Sequence, residues 1–283
     1  MKIITSVAAM EKEMRIHRDA NKSIGFVPTM GYLHEGHMTL VKKAREENDL
    51  VILSIFVNPL QFGPNEDFDS YPRDFDRDEK LAKNNGVDLI FYPQVEDMYK
   101  DSFSFEVKVV NKVNVLCGKK RKGHFDGVAT VLIKLFNITQ ANKVYFGMKD
   151  AQQVAIVQSL IKDFNFPIEL VPVNTVREED GLAKSSRNVY LTEYERQEAP
   201  QIYKALISAK SAIINGEKNS YNVQNAIKEH ITQHTSGVID YVEVLSYPEL
   251  ETIGELSGKV LIAVAVKFTK ARLIDNITVD MKL

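Results

Sequence analysis

Residues 50–57 read LVILSIFV, eight apolar or small residues in succession. A strand with one wet face alternates apolar and polar side chains, so an unbroken run asks for burial on both faces. Ile24–Val27, Val87–Tyr92, Lys143–Phe146 and Ile168–Val173 have the same character. Between these runs, helical periodicity occupies Glu35–Glu47, Phe75–Asn85, Gly127–Ile138 and Ala151–Lys162. Apolar strands alternating with amphipathic helices build a parallel sheet covered on both sides. Residues 1–175 are therefore expected to form a doubly wound, Rossmann-like α/β domain.

The pattern changes after residue 176. Thr192–Asn215 reads as one long helix with Thr192 as its N-cap, and Tyr221–His234 as a second. Ile239–Leu245, Val260–Phe268 and Leu273–Val279 read as strands with no helix between them, hence antiparallel. A smaller α+β domain is expected at 176–283.

Composition narrows the function classes. Of the 283 residues, 44% are hydrophobic, enough for one large core or for a large and a smaller one. The net charge is −2 with both signs interspersed, without the basic stripe of a nucleic-acid binder. No apolar run approaches the roughly 20 residues of a membrane span, and residues 1–18 carry no signal-peptide core. The expectation is a cytoplasmic protein. The single cysteine, Cys117, excludes an internal disulfide and a cysteine-cluster zinc site.

Five segments carry chemistry. Pro28-Thr29-Met30-Gly31-Tyr32-Leu33-His34-Glu35-Gly36-His37 leaves a buried strand and opens a helix. Helix-start N–H groups attract phosphate, and two imidazoles three residues apart project to one side. Gly36 between them reads as room for a bulky anion. A zinc site would need more ligands than the nearby spacing supplies. Asn58 and Gln61 follow the most apolar strand; Asn58-Pro59 fits an ordinary turn, whereas Gln61 offers a donor and an acceptor to a hydroxyl or carboxylate. Arg121 to Asp126 is basic and precedes a helix that Asp126 is positioned to cap. Gly147-Met148-Lys149-Asp150 again joins a strand to a helix, with Lys149 aimed where phosphates would lie and Gln153 one turn on. Lys184, Ser185, Ser186 and Arg187 make a donor-rich loop near the domain join. Glu66, Asp67, Asp69 and Asp78 read mostly as solvated surface, with one of them open to assist a metal that spacing does not assign.

Taken together, VPTMGYLHEGH, FVNPLQFGPNEDFDSYPRD, GHFDGV, GMKDAQQ and GLAKSSRN resemble the pantothenate synthetase family in order and spacing, from about Pro28 to at least Leu191. That family belongs with the HIGH-type nucleotidylyltransferases; His34–His37 stands for HIGH, and Lys184–Arg187 for the mobile loop of their relatives. Beyond Leu191 the resemblance is one of length and layout. It implies an ATP-dependent ligase that condenses (R)-pantoate with β-alanine through a pantoyl-adenylate, yielding pantothenate, AMP and pyrophosphate. Met30, Gly31, Tyr32, Leu33, His34, Glu35, Gly36 and His37 would bind ATP, as would Gly147, Met148, Lys149 and Asp150, the backbone of Val176, and Lys184, Ser185, Ser186 and Arg187. His34, His37 and Lys149 are the implied catalytic residues. Gln61 and Gln153 would bind pantoate, Gln61 also β-alanine, and Arg121 would stand near the phosphates. Mg²⁺ would accompany ATP, residues 176–283 would form a lid, and the partner would be a second copy of the chain. Lys184 and Met148 depart from the family's usual apolar residue and Glu. A nucleotidylyltransferase shares the two histidines but leaves Gln61, Gln153 and the C-terminal domain unexplained.

Overall fold

The computed structural model describes residues 1–64, 66, 68–99 and 103–281. Their contacts divide the chain into two compact units, Met1–Val113 with Cys117–Gly147 and Ile156–Val173, and Asn114–Leu116 with Met148–Ala155 and Asn174–Leu283.

The first unit carries the parallel sheet. Its strands are β1 (Lys2–Ile4), β2 (Ile24–Thr29), β3 (Leu50–Ile55), β4 (Leu89–Phe91), β5 (Lys143–Gly147) and β6 (Glu169–Val173), in the order β1-β4-β3-β2-β5-β6. Every pairing is parallel. All six residues of β3 are buried, as its unbroken apolar run requires. The edge strand β6 is half exposed instead of buried on both faces, because only β5 pairs with it. Strand β1 and helix α1 (Val7–Asp19) are not marked by the periodicity. Lys2–Ile4 is too short to show alternation, and it is held by pairing with β4.

Helix α2 (Glu35–Glu47) packs on β2, β3 and β5, with α3 (Phe75–Asn84) beside it. The short α4 spans Val95–Met98. Helix α5 begins at His124, three residues before the expected Gly127, and runs to Thr139 beside α1. Gly123, in the left-handed region, is its N-cap, and Asp126 inside the first turn accepts from the Val109 amide instead of capping. Helix α6 (Ala151–Asp163) spans the division, its first five residues belonging with the second unit. Sequential strands run outward from β2 on one side and resume at β5 on the other. The order therefore reverses between β2 and β5, and ligands of open α/β sheets bind beyond the carboxyl ends of strands at such a reversal.

In the second unit, the expected single helix is two, α7 (Glu193–Glu198) and α8 (Gln201–Ile214). Pro200 stands at the break, where its ring and missing N–H stop a helix from continuing. Thr192 caps α7 reciprocally with Glu195, as expected. Helix α9 (Ser220–His234) and strands β7 (Val238–Ser246), β8 (Lys259–Lys267) and β9 (Arg272–Asp280) complete the unit, the strands antiparallel in the order β7-β8-β9. Its core joins Leu206, Ile213, Ile227 and Ile231 of the helices to Val242, Val264 and Val266 of the sheet.

Candidate active site

The turn after β2 is built to present two histidines. Gly31 (φ 86°) and Tyr32 (φ 49°) are left-handed, Leu33 is fully buried, and His34 is the N-cap of α2. His34 Nδ1 accepts from the Gly36 amide at 3.1 Å, and His37 Nδ1 accepts from the His34 amide at 3.3 Å. The rings lie 4.1 Å apart, centroid to centroid. This is a capping box made by imidazoles in place of the usual hydroxyl and carboxylate. The space above Gly36 belongs to the His34 ring: a Cβ there would lie 2.8 Å from His34 Cε1. The glycine thus makes room for the cap.

Asp78 is where local reading fails. It is 1% exposed, not solvated, and its carboxylate accepts the Tyr32 and Leu33 amides at 2.7 Å each. Burial pushes its pKa up, while the two amides and Arg77 oppose that. A signal is present: Phe75, Asp78 and Ala82 fall at i, i+3 and i+7, one face of α3. Asp67 lies outside the described residues. Glu66 is half-buried and salt-bridged.

The segment after β3 forms a second preset group. Asn58 is 1% exposed, caps the short turn Pro59–Gln61, and donates through Nδ2 to Gln61 Oε1 at 3.1 Å and to Gly127 O at 3.0 Å. Tyr99, absent from the sequence reading, donates its hydroxyl to Asn58 Oδ1 at 2.8 Å. Gln61 Nε2 lies 3.0 Å from Met30 Sδ, so the two segments meet. His124 Nδ1 lies 2.7 Å from Gln61 O, and its Nε2 lies 2.9 Å from Arg121 Nη1. A guanidinium only donates, so His124 accepts at Nε2 and carries its proton on Nδ1. Arg121 also forks onto Glu66 at 2.7 and 2.5 Å and holds that carboxyl below its usual range. The expected phosphate contact of Arg121 is thus preceded by an internal one.

The second unit holds the other candidates. Lys149 is half-buried with Nζ 3.8 Å from the exposed Asp150 carboxylate, and Met148 receives a 3.7 Å contact from the Tyr247 hydroxyl. Asn276 Nδ2 donates to the carbonyls of both Met148 and Lys149 at 2.9 Å, tying this turn to β9. Its neighbour Asp275, 4% exposed, accepts a forked Arg177 guanidinium at 2.6 and 2.9 Å, and that guanidinium lies 3.6 Å from the Tyr203 ring centre. Two buried polar residues interrupting an apolar strand are the missed signal. Val176 O accepts the Lys184 amide at 2.9 Å, and Lys184 Nζ lies 3.5 Å from Glu178. Ser185 Oγ accepts from the Arg187 amide and caps the turn Ser186–Tyr190, leaving Arg187 exposed. Lys149, Ser185, Asn188 and Asp275 line one cavity. Gln153 is half-buried in the first turn of α6, while adjacent Gln152 is buried and donates to Val115 O.

The chain matches the family Pantoate-beta-alanine ligase over residues 2–278. It is 63% identical to a pantothenate synthetase of Geobacillus over 99% of this chain and all of that one. Against the Bacillus cereus pantothenate synthetase the identity is 58% over the full length of both. The crystal structure of the Thermus thermophilus enzyme superposes with a TM-score of 0.91 at 42% identity, covering 98% of this chain and 99% of that one. The Francisella tularensis ligase, solved with β-γ ATP and β-alanine, gives 0.77 at 35% identity over 98% and 97%. The likeness therefore continues well past Leu191, through the second unit, and is more than one of length and layout.

Proposed function

We propose a division of labour within a reaction that kinship establishes: this chain belongs to the pantoate-beta-alanine ligase family and uses ATP to join pantoate to β-alanine. The reaction runs in two steps. A pantoate carboxylate oxygen attacks the α-phosphorus of ATP, and the bond to pyrophosphate breaks. The amine of β-alanine then attacks the acyl carbon of the pantoyl-adenylate, AMP leaves with the bonding electrons, and the new amide loses a proton. Adenylation gives the carboxylate a good leaving group; the protein positions the partners and stabilises charge on oxygen.

The observation that carries this reading is the reciprocal histidine cap. With each Nδ1 accepting a backbone N–H, a neutral ring bears its proton on Nε2 and acts as a donor, not as a base. Two such donors at the start of α2 suit phosphate oxygens. Met30–His37, Gly147–Asp150 and the Val176 backbone serve ATP in this scheme. Lys149, Lys184, Ser185, Ser186 and Arg187 supply donors and positive charge, the last four on a lid formed by 176–283. Gln61 and Gln153 read pantoate, and Gln61 also meets β-alanine. Its side chain is supported for this by Asn58. Arg121 reaches phosphate by exchanging its Glu66 partner.

Mg²⁺ enters with ATP as substrate. Among the described residues no three His, Cys, Asp or Glu side chains gather to hold a resident metal. A homodimer in the cytoplasm completes the reading, and light scattering tests the assembly. No helix among the described residues is long and apolar enough to cross a membrane.

The deciding experiment is exchange of labelled pyrophosphate into ATP with pantoate present and β-alanine omitted. Pantoate-dependent exchange is expected. Folded, ATP-binding protein that shows none would falsify the two-step scheme.

A further inference from the structure

We infer that Asp78 is a positioning residue for this reaction, its buried carboxylate holding the Tyr32–Leu33 turn so that His34 and His37 face the nucleotide. The inference rests on the reading that this turn serves ATP. Two successive left-handed residues, Gly31 and Tyr32, turn the next two amides toward one side. Such a concavity of N–H groups binds anions. Here the anion is the chain's own: Oδ2 takes the Tyr32 amide and Oδ1 the Leu33 amide, both at 2.7 Å. The concavity is therefore already filled, and phosphate must be met by the histidines that follow.

Several contacts make the fit specific. A Cβ on Gly31 would lie 3.0 Å from Asp78 Oδ2 and 2.9 Å from Ile55 Cγ2, so the carboxylate closes directly onto the glycine. Arg77, from the same helix, places its guanidinium 4.9 Å from the centre of the Tyr32 ring. Helix α3 thus grips the turn both by its backbone and by the Tyr32 side chain. Leu33, fully buried, leads directly into the His34 cap, so a change in the Tyr32–Leu33 peptides is passed to both imidazoles.

A carboxylate is required because two donors face two oxygens. The amide of Asn offers one acceptor, and its NH₂ would oppose the second backbone N–H. Asp78→Asn is therefore nearly isosteric yet electrically wrong. Asp74→Asn beside it is the control: Asp74 accepts from the Arg77 amide, as the N-cap of α3.

Steady-state amide formation is measured with each substrate varied. Asp78→Asn is expected to lower kcat about tenfold to a hundredfold, the range that a displacement near 1 Å produces. It should also raise KM for ATP and leave KM for β-alanine unchanged, while Asp74→Asn shifts neither KM. A purely structural role would reduce the active fraction and Tm without moving KM for ATP, and that result overturns the inference. Should Asp78→Asn not fold, amide hydrogen exchange in the native enzyme decides. Tyr32 and Leu33 are expected to be protected, with a carboxylate as their partner in place of a backbone carbonyl; exchange at open-loop rates overturns the inference. Failure of pyrophosphate exchange in the native enzyme would break the adenylate scheme but leave this KM comparison standing.

Discussion

Two buried aspartates, one in each unit, hold turns that carry candidate residues, and they do so by different physics. Asp78 is compensated by two amide dipoles, with Arg77 as a more distant charge. Asp275 is compensated by a forked guanidinium and one amide, and its neighbour Asn276 carries the grip to the Lys149 turn. Burial pushes both pKa values up, and for Asp275 the Arg177 charge pulls the other way. Dipoles can hold a turn in shape without placing a second charge in the interior. An ion pair adds strength but makes each partner depend on the other. The first arrangement suits a turn whose shape matters, the second a junction between a loop and a strand.

The largest expected effect follows from that dependence. Arg177→Ala would leave the buried Asp275 carboxylate without its ion-pair partner, with the Asn276 amide still hydrogen-bonded to it, which typically costs about 3–5 kcal/mol of stability. Arg121→Ala breaks a half-exposed pair with Glu66 and should cost at most about 1 kcal/mol. Denaturant titration of both variants measures this, and equal losses would erase the distinction between a buried and an open pair.

The next effect is on turnover, not stability. His34→Ala and His37→Ala should each cost about 3 kcal/mol of transition-state stabilisation, roughly a hundredfold in kcat, if each donates to developing charge. Near-normal turnover in folded protein would show that the reciprocal cap is only architecture. A smaller effect is expected for Gln61→Ala and Gln153→Ala, about 1.5–3 kcal/mol for a hydrogen bond to a charged group. It should appear in KM for pantoate more than for ATP. Equal shifts for both substrates would mean that the two amides do not select the acid.

The smallest effect separates two kinds of carboxylate by pH. Glu195 is held down to about 2 by the Thr192 and Thr269 amides. A depressed folded pKa means that its contribution is present above the unfolded value of 4.5 and is lost as pH falls toward 2. Asp78 has the opposite sign: its raised pKa makes stability fall as pH rises from 3.8 through the folded value. Glu195→Gln should flatten the acid side of the stability–pH curve in thermal melts, and Asp78→Asn should not. An unchanged acid slope in Glu195→Gln would remove Glu195 from that account.

Much of the frame follows from short-range pattern. LVILSIFV could satisfy its side chains only between two covered faces, and β3 is buried throughout. Thr192 announces a helix start, with Glu195 completing a mutual cap, and GYLHEGH is legible as the junction of a buried strand with a helix. Pro200 is equally legible as a break, yet the apolar spacing on either side of it favours a single helix.

What tertiary structure alone decided is which partner each buried polar group meets. Asp74, Asp76 and Asp78 stand two residues apart at the start of one helix, and spacing places Asp78 on the face of Phe75 and Ala82 without naming what it meets there. Only the docking of α3 against the turn after β2 buries the third and gives each oxygen an amide. Arg121 looks free to meet phosphate until the fold brings Glu66 to it across 55 residues of chain. Asp275 finds Arg177 across 98 residues, and Asn276 finds the Lys149 turn across 127. Periodicity reports which face of an element is apolar, because that is set within a few residues. The partner of a buried charge is set by long-range packing, and no local pattern encodes it.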